Sequence, residues 1–405
     1  MKKKLLSAWV LVLLLSGCAK EKDGAVQPME KVTAQATATI DAATPQQTIR
    51  GFGGASIRGW IADLTTDQRT KAFSPTNGIG MSILRVRIPH NSADFAAEKP
   101  TIDAAKSFGA TVIASAWTAP ASMKDNNNLV GGKLKTDSYA SYASHLRAFN
   151  TAVGGVYAIS PINEPNITVS YESMKMTATE VASFVAAQGE NCGAPIMAPE
   201  PFNMDQTYIN TYLSNATAKA KTAFVCGHIY GRTPYNLGNI GKSVWMTEHY
   251  TNSSISGNDW NNAMNAAKEI HDCMNAGWAA YVWWYIRRSY GPIDENSNVT
   301  KLGYIMAHWA KWVRPGFSKI SCTSNPTSGI FVTAYKSGSR IVIVAINQNS
   351  SATNQAFSLS GATVSSFSRY QTTSSANLVS SSLSVSGNSF NLTLPASSIT
   401  TLIAN

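Results

Sequence analysis

Two glutamates stand where short apolar runs end. Glu164 follows Tyr157-Ala158-Ile159-Ser160-Pro161-Ile162-Asn163 and precedes Pro165, and Glu248 follows Ser243-Val244-Trp245-Met246-Thr247 and precedes His249-Tyr250. A carboxylate at the mouth of a parallel barrel strand reads as catalytic, because the loops at that end build the site. Two of them can divide the cleavage of a glycosidic bond. Glu164 is then the general acid and later the base, and Glu248 the nucleophile. Retention of configuration would require the two carboxyls to sit about 5–5.5 Å apart. Glu164 must be protonated at rest, and an ionised Glu248 nearby would push its pKa up. Asn163 is placed to hydrogen-bond the sugar 2-hydroxyl, a contact that strengthens as the oxocarbenium ion develops.

Other side chains gather at the same strand ends. His228 and Tyr230 close the run before Glu248, where either can hydrogen-bond Glu248 and keep it aligned and ionised. Trp117 ends the third run, and Trp283, Trp284 and Tyr285 end the eighth. Sugar rings pack their C–H faces on aromatic rings. Strand side chains alternate, so only one of Trp283 and Trp284 faces inward. Arg85 and Arg87 share a face of the second run, and either order the carboxylates or form a structural ion pair. Arg287, Arg288 and Tyr290 follow the eighth run, where two arginines beside a tyrosine suit capture of a substrate carboxylate. A solvated loop charge is the alternative there.

These residues need a frame. Apolar runs at 49–55, 81–88, 111–117, 156–163, 195–199, 223–230, 243–248 and 279–285 alternate with amphipathic stretches such as 138–153, 179–189 and 261–276. Eight strands with helical crossovers predict an α/β fold, a (β/α)8 TIM barrel over about 50–314. A doubly wound open sheet is the alternative, weakened because no GxGxxG follows the first strand. Residues 315–405 are rich in Ser, Thr and Asn and alternate as strands do, which predicts a side β-sandwich. Alternation near Ala36-Thr37-Ala38-Thr39-Ile40 predicts that 35–49 joins it, so that this domain is built from both chain ends.

The first residues read as an export signal. Lys2, Lys3 and Lys4 precede an apolar run, 5–15, too short to span a bilayer. Leu15-Ser16-Gly17-Cys18 looks like a bacterial lipobox, so residues 1–18 are expected to be a lipoprotein signal, Cys18 the lipidated first residue, and 19–34 a polar tether. Membrane attachment through that lipid at the cell envelope, at an outer membrane or cell surface, is the expectation, and free secretion the alternative. The 405-residue chain carries a net charge of +10, and loss of residues 1–17 with three lysines leaves +7. That balance suits a partly acidic ligand, although charge alone more often serves solubility. Cys192, Cys226, Cys273 and Cys322 lack metal-like spacing and fix no disulfide.

The chain resembles glycoside hydrolase family 30, in particular its bacterial glucuronoxylanase subfamily, subfamily 8. The resemblance rests on Gly51-Phe52-Gly53-Gly54, Ser82-Ile83-Leu84-Arg85, Ala116-Trp117-Thr118-Ala119-Pro120, Asn163-Glu164-Pro165, Gly227-His228-Ile229-Tyr230-Gly231 and Trp245-Met246-Thr247-Glu248. It rests most specifically on Tyr281-Val282-Trp283-Trp284-Tyr285-Ile286-Arg287-Arg288-Ser289-Tyr290-Gly291-Pro292, and extends to Leu394-Pro395-Ala396-Ser397-Ser398-Ile399-Thr400-Thr401 in the last part of the chain. It implies a barrel fused to a side β-structure and a retaining mechanism. It makes Glu164 the acid/base, Glu248 the nucleophile and Arg288 the partner of a 4-O-methylglucuronic acid branch on xylan. It implies that Tyr290, Tyr250 and Ser253 help hold that branch and that Trp117 and Trp284 stack on substrate. The chain departs from the pattern at Ser173-Met174-Lys175-Met176, where a tryptophan is expected, and at Arg87-Ile88-Pro89-His90.

The leading expectation is therefore an endo-acting β-1,4-glucuronoxylanase of the retaining type. A branch-indifferent xylanase or other glycosidase of the same fold would keep both glutamates, and intact Arg288 and Tyr290 count against it. A carbohydrate-binding surface lipoprotein without catalysis should have lost a carboxylate. A metal-dependent hydrolase lacks ligand spacing. The expected partner is the polysaccharide, with no cofactor, metal or nucleic acid and a monomeric chain.

Overall fold

The computed structural model describes residues 36–404. Cys18, the signal and the tether lie outside the described residues. Eight parallel strands close into a barrel in chain order. After β1 (Ala38–Thr48), these are β2 (Gly51–Ala55), β3 (Ile83–Ile88), β4 (Thr111–Ala116), β5 (Ala158–Ser160), β6 (Ile196–Pro199), β7 (Thr222–His228), β8 (Val244–His249) and β9 (Ala280–Trp283). All eight expected runs form strands. The 156–163 run is regular only at its centre, because Pro161 has no N–H for the ladder. Gly53 is required by close approach, since a Cβ there would meet the Ile83 carbonyl oxygen at 1.9 Å.

The crossovers carry eight helices among the described residues: α1 (Thr66–Phe73), α2 (Lys99–Ser107), α3 (Tyr139–Ala152), α4 (Ala178–Gln188), α5 (Gln206–Leu213), α6 (Ala216–Lys221), α7 (Trp260–Asn275) and α8 (Lys301–Ala310). The 138–153, 179–189 and 261–276 stretches correspond to α3, α4 and α7. Capping boxes start α1, at Thr65 and Gln68, and α4, at Thr177 and Glu180. Each box satisfies two backbone N–H donors with side-chain oxygens reciprocally and fixes where the preceding loop must end. The loop before α4 is the one that leaves Glu164. Among the described residues, no helix is long and apolar enough to cross a membrane.

The side domain is a mixed sheet of nine strands. β10 (Ser318–Cys322), β11 (Ile330–Ser337), β12 (Arg340–Asn347), β13 (Thr353–Ser360), β14 (Ser366–Thr372), β15 (Val379–Ser384), β16 (Ser389–Leu394) and β17 (Ser398–Ala404) join β1 in the order β15-β14-β17-β12-β11-β10-β1-β13-β16. Hydrogen bonding is continuous, so the sandwich is one sheet folded over its own core. Phe367 in β14 and Phe390 in β16, near opposite ends of that order, meet with ring centroids 5.3 Å apart. β1 pairs with β10 antiparallel and β13 parallel, which brings both chain ends into the domain.

β12 shows how the sheet holds the barrel. Ile341, Ile343 and Ala345 enter the sheet's own core, while Val342, Val344 and Ile346 join the barrel's helical shell. Burying both faces of a Val- and Ile-rich strand stabilises by roughly 1.5–3 kcal/mol per large side chain. His308 on α8 is enclosed between Thr401 and Thr372, with both ring nitrogens 2.8 Å from their hydroxyls. Burial pushes its pKa down to about 3, so it stays a neutral donor–acceptor link between α8 and the sheet. The four cysteines among the described residues are free thiols.

Candidate active site

A cavity of about 500 Å³ opens at the carboxyl ends of the barrel strands, lined by Trp60, Trp117, Glu164, Tyr171, Phe202, Tyr230, Glu248, Tyr250, Trp284 and Tyr285. The strand ends are stitched beyond the regular ladder. Asn163 N–H donates to Ala116 O at 2.8 Å, Glu164 N–H to Glu200 O at 3.0 Å, and Glu200 N–H to Cys226 O at 3.0 Å. Glu164 and Glu200 each adopt a left-handed backbone, with φ of 47° and 54°. Such conformations cost energy and persist where surrounding bonds over-determine them, often at functional sites.

Glu248 is held at both oxygens. Arg85 Nη1 donates to Oε2 at 2.6 Å, and the Tyr230 hydroxyl donates to Oε1 at 2.9 Å. Arg85 has no exposed surface; its Nη2 donates to Asn163 Oδ1 at 2.6 Å and Glu200 Oε1 at 3.1 Å, and its Nε to Ser115 Oγ at 3.2 Å. Arg85 thus orders the carboxylates, which settles one of the two readings of this arginine. Arg87 does not share that role; it pairs with Glu172 instead.

His228 is assigned differently from the expectation. Its Nδ1 lies 2.7 Å from Glu164 Oε1, its Nε2 lies 3.5 Å from Glu200 Oε1, and Glu248 Oε2 is 4.0 Å away. The residue that bonds Glu248 is Tyr230. Alternation explains the split, since His228 ends the regular strand while Tyr230 lies two residues beyond it, on the same side and nearer the mouth.

Electrostatics follow from burial with paired charges. Burial alone would lower the His228 pKa, but the Glu248 charge and bonds to Glu164 and Glu200 outweigh it and lift it to about 9. Burial would raise Glu200, but Arg85 and His228 hold it down at about 2. Glu164 is raised, first by burial, against the lowering pull of His228, with Glu248 adding to the rise. Proximity to Glu248 is therefore a secondary cause, which corrects the weighting drawn from sequence. Two cations, Arg85 and His228, balance two carboxylates, Glu200 and Glu248. A proton on Glu164 keeps the buried set neutral, as a low-dielectric site requires.

One atom each of Glu164, His228 and Glu248 lies within 4.8 Å of the other two. Convergence from three strands explains why sequence spacing showed no such cluster. Both Glu248 oxygens already accept bonds from Arg85 and Tyr230, and His228 Nδ1 is committed to Glu164. The close approach of the carboxyls fits a double displacement better than the roughly 6.5–9.5 Å that leaves room for a water.

Of the other expected residues, Trp117, Tyr250 and Trp284 line the cavity, and Trp283 is fully buried outside it. Tyr250 sits between Tyr230 and Tyr290, with both centroid distances 5.3 Å. The Arg288 guanidinium lies 5.2 Å from the Tyr285 ring centroid. Among the described residues no carboxylate lies within 4 Å of it, so its fork remains available at the cleft edge. Ser253 is exposed in the turn after β8 and is not among the cavity-lining residues.

Four residues here were not singled out from sequence: Glu200, Trp60, Tyr171 and Phe202, while Tyr285 lines the cavity as its place at the end of the eighth run suggests. Pro199-Glu200-Pro201 at the end of an apolar run repeats the strand-end Glu-Pro signal of Glu164 and was readable. Trp60, Tyr171 and Phe202 come from loops, where no periodicity marks them. Tyr171 supplies an aromatic on the loop where a tryptophan was expected, while Met174 and Met176 are buried.

No protein-family model matches the sequence. Relatives and solved structures do. The chain is 39% identical over 395 residues to glucuronoxylanase XynC of Bacillus subtilis strain 168, covering 93% of both proteins. It is similar to a family 30 subfamily 8 xylanase, Xyn30A, from Clostridium acetobutylicum, with a TM-score of 0.85, 34% identity, and coverage of 91% of this chain and 99% of that one. A family 30 endoxylanase from Clostridium papyrosolvens C71 gives a TM-score of 0.83 at 31% identity, covering 91% of this chain and 100% of that one. The barrel, the side sheet from both chain ends, the paired carboxyls and a relationship spanning nearly the whole chain agree: the chain belongs to glycoside hydrolase family 30, subfamily 8.

Proposed function

We propose that this protein is a retaining endo-β-1,4-glucuronoxylanase that cuts xylan at positions set by 4-O-methylglucuronic acid branches. The observation that carries the chemistry is the approach of Glu164 and Glu248 to within 4.8 Å in an aromatic cleft. Glu248 attacks the anomeric carbon while Glu164 gives its proton to the glycosidic oxygen, so the leaving chain departs as an alcohol. A covalent glycosyl ester on Glu248 results. Glu164, now a carboxylate, takes a proton from water as that water attacks the same carbon and releases Glu248. Arg85 and Tyr230 hold Glu248 aimed, one at each carboxylate oxygen. Arg85 also takes Asn163 Oδ1, which leaves the Asn163 amide donors for the sugar 2-hydroxyl.

Branch recognition rests on Arg288, with Tyr290 and Tyr250 beside it and Ser253 on the adjoining turn. A bidentate arginine–carboxylate contact in a partly desolvated pocket is worth more than an exposed pair. Trp117 and Trp284 offer faces for the xylose units. The test compares 4-O-methylglucuronoxylan with unbranched xylan for wild type and Arg288→Ala. The expected result is cleavage confined to the branched polymer, one branch per product, and loss of about tens- to hundreds-fold in Arg288→Ala. Equal cleavage of both polymers with a silent Arg288→Ala would replace this reading by a general xylanase. Failure to cut either would return weight to a binding protein.

The export reading rests on residues 1–34 alone. A lipid on Cys18 would tether the enzyme to the envelope, where a polymer too large to enter the cell must be cut. Cys18→Ser should move the protein from the membrane fraction to the soluble fraction.

A further inference from the structure

Arg87 and Glu172 have no part in the chemistry above, yet both are nearly enclosed beside the cleft, with side chains 8% and 11% exposed. Arg87 stands at the end of β3, in the run Arg87-Ile88-Pro89-His90. Glu172 lies on the loop that leaves Glu164 and ends at the Thr177 cap of α4. The contact is a fork on a carboxylate: Arg87 Nε donates to Glu172 Oε1 at 3.2 Å, and Nη2 donates to Oε2. His90 Nδ1 lies 3.6 Å from the same Oε2.

The pair touches both walls of the cavity. The Arg87 guanidinium lies 5.4 Å from the ring centroid of Trp60, which comes from the loop after β2. Glu172 follows Tyr171 directly, and the Tyr171 and Trp60 rings meet edge to face at 6.3 Å. Trp60 in turn packs on Trp117 at 5.1 Å. Tyr171 itself is 48% exposed, so apolar burial does little to hold it. It lines the same cavity as Glu164 and Glu248.

We propose that Arg87 is a positioning residue: its ion pair with Glu172 latches the loop after Glu164 onto the Trp60 wall and so sets Tyr171 as a fixed substrate-contacting wall of the cleft. An enclosed bidentate pair is a geometric constraint as well as an attraction, unlike a solvated ion pair. Without it, the loop keeps the α4 cap and its anchors at Ser173, whose N–H donates to Leu129 O at 3.0 Å and whose carbonyl accepts from Lys124 Nζ at 2.8 Å, but Tyr171, on the Glu164 side of Glu172, loses its registration against Trp60. The role rests on the glycosidase reading, because the latch acts on substrate through Tyr171.

The experiment is a double-mutant cycle of Arg87→Ala and Tyr171→Ala on branched xylo-oligomers, with limited trypsin digestion as a readout independent of activity. Each single variant should raise KM about tenfold with kcat changed much less, and the double should be no worse than Tyr171→Ala alone, the signature of coupled residues. The exchanged pair Arg87→Glu with Glu172→Arg should recover part of what Arg87→Glu loses. Cleavage after the exposed Lys175 on the same loop should speed up in Arg87→Ala and not in Tyr171→Ala. Additive KM effects, equal falls in kcat and kcat/KM, or unchanged digestion at Lys175 would overturn the latch. If wild type cuts no glucuronoxylan, the proposed function fails, and the digestion rates still decide the latch.

Discussion

Arg85 Nη1 and Glu248 Oε2 are 2.6 Å apart, and neither side chain has more than 8% of its surface exposed. A guanidinium with no exposed surface, shared among Glu248, Glu200 and Asn163, is the main positive charge under the site floor. Its guanidinium carbon also lies 4.7 Å from the Trp117 ring centroid, so charge and aromatic floor are one unit.

Arg85→Met should therefore be costly in a way that a surface arginine would not be. Two buried carboxylates would lose their counter-charge, and breaking such a network by removing one partner typically costs about 3–5 kcal/mol. Urea unfolding at neutral pH measures it. Arg85→Lys keeps the charge but not the fork, and should lose less stability while still losing activity. A stability change below about 1 kcal/mol for Arg85→Met would place the compensation elsewhere.

The two glutamates should fail differently. Glu248→Gln should abolish turnover of every substrate. Glu164→Gln should lose about 10²–10⁴-fold on xylan, the usual worth of general acid–base catalysis. On an aryl glycoside with a good leaving group it should still form the ester, visible as added mass on the intact protein. Proton NMR of early products should show the β-anomer first. Early α-anomer would mean inversion and would remove the nucleophile role from Glu248.

His228 gives a signed pH prediction. Its positive charge lowers the Glu164 pKa against the rise caused by burial. His228→Gln should then raise that pKa, keep Glu164 protonated to higher pH, and move the basic limb of kcat/KM upward. Folding stability adds a second sign. The His228 pKa is lifted from 6.5 to about 9, so its stabilisation is present in full below pH 6.5 and is lost as pH rises through 9. His228→Gln should flatten stability across that window.

Much of this site is legible in the chain because parallel barrel strands are buried on both faces and appear as apolar runs. The eight runs, with Glu164 and Glu248 at their ends, needed no partner residue to be seen. Short helices with polar faces, such as α1, α5 and α6, carry too little periodicity to stand out. Trp60, Tyr171 and Phe202 reach the cleft from loops, and their meeting is a property of closure rather than of any local pattern. The division of partners, His228 on Glu164 and Tyr230 on Glu248, depends on how far past its strand each side chain sits. Glu200 is less conspicuous for another reason: its Pro199-Glu200-Pro201 run carries no Asn before the Glu, unlike Asn163-Glu164-Pro165.

Glu200 supplies the sharpest test of the charge balance. It is fully buried, accepts from Arg85 and from the Thr247 hydroxyl at 2.8 Å, and is held at about 2. Glu200→Gln keeps an acceptor oxygen for both donors and removes one negative charge. The site then becomes more positive, which lowers the Glu164 pKa and should move the basic limb of kcat/KM downward, opposite to His228→Gln. Stability has a sign as well. A carboxyl depressed from 4.5 to about 2 stabilises above pH 4.5 and loses that contribution as pH falls through 2, so Glu200→Gln should lose part of the acid sensitivity of folding. A residue that only filled space would lower kcat at every pH and leave the limb in place. Opposite displacements in the two variants would tie His228 and Glu200 to the proton on Glu164, and displacements of the same sign would break the charge-balance account.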